Sequence, residues 1–270
     1  MFAVARLCWP VTMRRMKRAI VFLALVMGLN TDLLAADDEA VQKLFVKARV
    51  ASRKSDHAGV VKHLSAALAL KPDENTRGGA HQARGEAYFK MAKIKESIAD
   101  FDAYLKIRPN QDPYHWQRGI SYYYSGEFKK GHEQFERHQT VNSNDVENAV
   151  WHFLCKLRAT DFKTARRSLI PIKGDGRVPM MEVHALFAGK STSEKVMAKA
   201  KAGKVDERRR ARQVFYANLY LALWFEALGK DKEAAKYLKP AAAVAADHGY
   251  MGDVARVHAI LRKVKVPKKK

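Results

Sequence analysis

Offset by 34 residues, the chain falls on itself: Arg84-Gly85 on Arg118-Gly119, Tyr88-Phe89 on Tyr122-Tyr123, Lys95 on Lys129, and Phe101 on Phe135. An echo of this length is the signature of a helix-turn-helix unit. Such a unit cannot bury its apolar face alone and becomes stable by stacking on copies of itself. A stack of hairpins offers surface rather than a cleft, so the echo leans toward a binding protein.

The period and residue types are those of the tetratricopeptide repeat. That unit wants small residues where its two helices cross, a large apolar residue opposite them, and often a proline at its end. Residues 78 to 111 supply Gly85, Tyr88, Ser97, Phe101 and Pro109, with Tyr104 beside Ala103 at the less orthodox position. Residues 112 to 145 supply Gly119, Tyr122, Gly131 and Phe135, with His138 and Ser143 replacing the usual small residue and proline. Upstream, Ala48, Ala51, Val60, Leu64, Ala67 and Pro72 fill the same slots at about 41 to 74.

Downstream the pattern degenerates. Asn144 and Glu147 predict the cap of a helix carrying Trp151, Leu154 and Cys155, and a second helix follows through Ala165 and Leu169 to Pro171. Gly174, Asp175 and Gly176 mark a loop. Met181 to Phe187 reads as a short helix, and Ser191 with Glu194 as a capping box for another ending near Lys201. The repeat pattern returns at 215 to 248, and Val254, Val257, Leu261 and Val264 predict a helix that closes the last apolar face. No stretch alternates long enough to demand a strand. The expected fold is all-α, a tetratricopeptide-type α-solenoid. Its predicted segments are a leader at 1–36, an N-terminal array at 37–145, a degenerate middle at 146–214, a C-terminal repeat and capping helix at 215–264, and a basic tail at 265–270.

The leader rests on Arg14, Arg15, Lys17 and Arg18 before an apolar run from Ala19 to Leu29, then Leu34-Ala35-Ala36 before Asp37. This predicts a secretory signal peptide, with an uncleaved membrane anchor as the alternative. The expected location is therefore outside the cytoplasm, periplasmic or extracellular. Cleavage would lower the formal charge from +22 to +18 and leave Cys155 as the one cysteine, so no intrachain disulfide is expected. A large positive charge draws polyanions. Export sets nucleic acid aside and favours acidic envelope polymers or acidic proteins.

Catalytic and metal motifs fail on spacing. Gly189-Lys190-Ser191 lacks the glycine five residues upstream that a phosphate loop needs, since His184 stands there, and reads as a helix end followed by a new helix start. His132-Glu133-Gln134-Phe135-Glu136 resembles the start of a zinc-protease helix, but Glu136 occupies the place of the second histidine. His132 and His138 accordingly read as solvated, and no metal or cofactor is expected. Cys155 and His152 lie three apart, yet Cys155 falls at a small, buried position and no third orienting residue can be nominated. The chain is expected not to be an enzyme.

In tetratricopeptide proteins one face of each first helix lines a concave groove. Here that face carries Gln82, Glu86, Phe89, Lys90, Trp116, Ile120, Tyr123 and Tyr124. Aromatic rings beside charges suit peptide binding, and packing against a neighbouring repeat is the competing role for Trp116 and Tyr123. Arg208, Arg209, Arg210 and Arg212, with Lys268, Lys269 and Lys270 of the tail, are the candidate contacts for an anionic partner, or simply solvated ends.

From Arg118 to about Val264 the order of features is similar to the NlpI-type tetratricopeptide lipoproteins of the bacterial envelope. The similarity rests on Arg118-Gly119-Ile120, Tyr122-Tyr123-Tyr124, Gly126, Trp151-His152-Phe153-Leu154 and Glu182. It continues through Phe187-Ala188-Gly189 and Ser191 to Phe215-Tyr216, Leu221 and Leu228-Gly229. It implies a helical homodimer that acts as an adaptor for proteases and peptidoglycan hydrolases without catalysing anything. The chain departs from that family in lacking a lipidation cysteine after its leader and in its high positive charge.

Overall fold

A computed structural model describes residues 38–266. The predicted leader and the lysines Lys268 to Lys270 lie outside the described residues. Among the described residues there is no strand. The fold is all-α, a solenoid of helical hairpins: α1 (38–53) with α2 (His57–Ala69), α3 (Glu74–Lys90) with α4 (Ile94–Ile107), and α5 (Trp116–Ser125) with α6 (Phe128–Gln139). A 3-10 segment, Pro109–Tyr114, joins the second hairpin to the third.

The 34-residue echo has a physical cause. In α3 and α5 the Arg-Gly pair meets the second helix of its hairpin 16 residues later. Arg84 donates to both oxygens of Asp100 at 2.7 Å, and Arg118 donates to Gln134 Oε1 at 3.0 and 2.6 Å. A methyl on Gly85 would stand 2.8 Å from the Phe101 ring, and one on Gly119 would stand 2.7 Å from the Phe135 ring. Each glycine is thus a notch for the phenylalanine opposite. Each arginine also lies over the tyrosine one turn on, Tyr88 or Tyr122, at 5.8 and 5.6 Å.

The second half is less regular. α7 (Val146–Ala159) packs on α6 and is followed by the short α8 (Phe162–Arg167), then α9 (Met180–Phe187) and α10 (Ser193–Lys201). α11 (Glu207–Ala227) and α12 (Asp231–Ala243) form a long hairpin, and α13 (Gly249–Leu261) ends the helical part. The boundary expected between 214 and 215 falls inside α11, because Asp206 caps a helix that starts eight residues earlier, its side chain accepting from Arg209 N. Two other predicted caps move by one residue. Asp145, not Asn144, caps α7, while Asn144 Oδ1 accepts from Lys173 N. Thr192, not Ser191, caps α10, while Ser191 donates to Glu182.

One main core runs from Phe89 and Ile98 through Trp151, Phe153 and Phe187 to Tyr220 and Val254. A smaller cluster holds the first hairpin on α3 through Ala48, Val60, Leu64 and Ala80. No helix among the described residues is long and apolar enough to cross a membrane.

Candidate functional site

α3 and α5 carry all eight predicted groove residues, and the structure divides them. Phe89, Ile120 and Tyr123 are 0, 1 and 3% exposed, while Gln82, Glu86, Lys90, Trp116 and Tyr124 are half-buried. The cover over this wall is α13. Tyr250 stacks on Phe89 with ring centroids 5.3 Å apart and stands edge-on to Trp116 at 4.9 Å. The Tyr124 hydroxyl lies 3.0 Å from His258 Nδ1, Arg256 donates to the Lys90 carbonyl at 2.7 Å, and the Lys90 ammonium lies 3.6 Å from Asp253. Tyr123 donates to Glu226 of α11 at 2.9 Å.

The groove reading is therefore corrected for three residues. Phe89, Ile120 and Tyr123 are packing residues of the main core: Tyr250 of α13 covers Phe89, and Trp151 of α7 with Glu226 of α11 holds Tyr123. Gln82 and Glu86 are tied to each other at 3.0 Å, and Gln82 Oε1 also lies 2.7 Å from His115 Nε2. Burial, helped by the Arg118 charge, pushes His115 down to about 4, so at neutral pH it serves as a neutral hydrogen-bonding group.

Beside the covered part lies a recess of about 220 Å³. Trp116, Ile120, Phe135, Trp151 and Met251 give it apolar walls; Asn142, Asp145, Glu147, Asn148 and Arg177 supply its polar groups. Arg177 is fixed by Asp145 and Asp175, each at 2.6 Å, and by Glu147. Burial pushes the Glu147 carboxyl up to about 7 while Arg177 pulls it down, and Tyr220 donates to its other oxygen at 2.7 Å. Two lining residues carry buried polar atoms without a hydrogen-bond partner in the protein, Trp151 Nε1 and Asn148 Oδ1. Sequence reasoning placed Trp151 and Glu147 on a helix and did not see this recess, because Arg177 closes it from a loop some 30 residues away.

The arginine cluster also divides. Arg210 is bound to the end of α10, donating to the carbonyls of Ala200 at 2.7 Å and Ala202 at 2.9 Å, so it is withdrawn as a contact for an anion. Arg208, Arg209 and Arg212 are exposed and line a crevice of about 490 Å³ with Arg177 and Tyr216.

Cys155 is fully buried, and that burial pushes its thiol far above the ordinary range. His152 turns instead to Glu136, with Nε2 3.2 Å from Oε1. A thiol held protonated, without a base, is not a nucleophile. The reading of His132 and His138 as solvated is overturned. His138 is 6% exposed with Nδ1 2.9 Å from the Pro113 carbonyl, and the His132 side chain is 12% exposed against His152. The second histidine near Glu136 comes from the next helix, which a one-helix motif does not contain. Gly189 ends α9 with φ +77° and is followed by the cap of α10, as a helix end requires.

No family profile matches the chain. Among solved structures it is similar to a tetratricopeptide repeat protein from Parabacteroides merdae ATCC 43184. The two are 14% identical with a TM-score of 0.39, over 83% of this chain and 99% of that one.

Proposed function

We propose that this chain is an exported, non-catalytic scaffold that binds proteins or peptides of the cell envelope on the uncovered part of its concave wall. The recess framed by Trp116, Trp151 and Met251 carries the reading. At about 220 Å³ it is smaller than the ~300–1,000 Å³ of small-molecule pockets, and suits one or two side chains of a peptide. Asn142, exposed on the rim, can hydrogen-bond a peptide backbone beside the apolar walls. Aromatic walls add area at low entropy cost. The leader-like first residues supply the envelope part of the reading.

The test is recovery of partners by the parent protein and by Trp116→Ala. Trp116 is half-buried and lines the recess, so its removal should abolish the specific partners while leaving the helical circular dichroism in place. An unchanged set of partners would contradict the reading.

The exposed arginines favour a second reading, in which an anionic polymer or acidic segment lies along the crevice at Arg208, Arg209 and Arg212. That binding would weaken steeply with salt and would disappear in the triple change of these arginines to glutamine. Binding that ignores both would exclude it.

A further inference from the structure

We propose that His132, Glu136 and His152 form a site for one divalent transition-metal ion of the zinc class, clamping α6 to α7. The site lies apart from the recess and from the arginine crevice.

α6 sets His132 and Glu136 four residues apart, one above the other on one face of the helix. α7 packs on α6 and brings His152 to the same point. His132 Nδ1 lies 3.5 Å from Glu136 Oε1, and His152 Nε2 lies 3.2 Å from that same oxygen. The three donor atoms are all within 4.8 Å of one another. Zinc bonds of about 2.0–2.2 Å to imidazole and carboxylate, arranged tetrahedrally, put neighbouring donors roughly 3.3 Å apart. Two of the three edges are already close to that length, and the donor atoms span no more than 4.8 Å.

The hydrogen bonding of the cluster is incomplete without an ion. Glu136 Oε1 faces two imidazole nitrogens but is hydrogen-bonded only to His152. His132 Nδ1 is buried with no hydrogen-bond partner, a state that costs stability in a helix interface. A bound cation would give that nitrogen a ligand bond and place all three donors in one coordination shell. The half-exposed Glu136 side chain leaves the site open on one side, so an ion can enter and water can fill the fourth position.

The donor set decides the metal class. Two imidazoles and one carboxylate suit zinc, nickel or copper, whereas calcium and magnesium want oxygen ligands. Cys155 is not a fourth ligand. Its sulfur packs toward Gly131, where an added methyl would lie 2.7 Å from it. The site also has weak outer support: His152 Nδ1 is buried without a partner, where strong sites place a carboxylate or carbonyl behind each imidazole. Affinity should therefore fall below that of sites with full outer shells.

The test uses the untagged protein, stripped with a chelator and titrated with Zn²⁺ by calorimetry, alongside melting curves with and without Zn²⁺. One equivalent should bind and raise the melting temperature. His132→Ala, His152→Ala and Glu136→Gln should each lose at least the roughly 10- to 100-fold that removal of an outer partner alone costs. His63→Ala on α2, remote in sequence, should bind as the parent does. Co²⁺ bound to the parent should show a tetrahedral visible spectrum that Zn²⁺ abolishes, a readout that needs no variant to fold. Absence of stoichiometric Zn²⁺ binding by the parent, or parent-like binding by Glu136→Gln and both histidine variants, would overturn the proposal.

Discussion

At Gly119 the absence of a side chain decides how close two helices come. A Cβ there would meet the Phe135 ring at 2.7 Å, so Gly119→Ala should cost about 1–3 kcal/mol through overpacking. Gly79 is the control: it sits exposed inside α3 with nothing within 4 Å of an added methyl, so Gly79→Ala should stabilise by about 0.5–1 kcal/mol. Urea denaturation of the two variants measures both signs, and equal shifts would refute the notch. Glu226 governs a second residue-scale effect. Burial alone would raise its carboxyl, but hydrogen bonds from His258 and Arg262 outweigh burial and hold it well below the usual carboxylate range. Its unfolded value is about 4.3, so its contribution is complete above that pH and lost as pH falls toward the depressed folded value. Glu226→Gln should lower stability at pH 7 and flatten the acid limb of the stability curve. A variant whose acid limb is as steep as the parent's would contradict this.

At the scale of elements, α13 makes the fold more than a row of hairpins. It touches α3 across some 160 residues of sequence, through Tyr250 on Phe89 and Arg256 on the Lys90 carbonyl. Its entry is tight, because a methyl on Gly252 would lie 1.9 Å from the Ala245 carbonyl oxygen. Gly252→Ala should therefore unseat α13, and amide exchange should show residues 249–261 losing protection while α3 and α4 keep theirs; undiminished protection in 249–261 would refute that role. What was legible in the sequence follows the same division. Contacts 16 residues apart within a hairpin leave a repeating trace, so Arg84, Gly85 and Phe101 announced their partners through Arg118, Gly119 and Phe135. Contacts between remote elements leave none. Nothing near Phe89 signals that Tyr250 covers it, nothing near Glu136 signals His152, and nothing near Glu147 signals Arg177. The cap errors at Asn144 and Ser191 are of another kind: neighbouring residues able to cap compete, and tertiary partners took the losing side chains.

For the whole molecule, the packing of α13 on α3 and α5 leaves the predicted groove face partly interior and partly accessible. In the proposed function the recess at Trp116 and Trp151 is where a partner's side chain would fit. The proposed anionic contact at Arg208, Arg209 and Arg212 would add a separate, salt-sensitive term, which should change rates of encounter more than the specificity of the recess. The two contributions are separable by position. A photo-reactive amino acid at Asn142, exposed on the rim of the recess, and another at Lys232, exposed on α12 and lining neither the recess nor the arginine crevice, compare the recess with a remote surface inside intact cells. The proposed scaffold function predicts that Asn142 captures defined envelope proteins, that Trp116→Ala abolishes the capture, and that Lys232 does not give the same products. Identical products from Asn142 and Lys232, unaffected by Trp116→Ala, would contradict it.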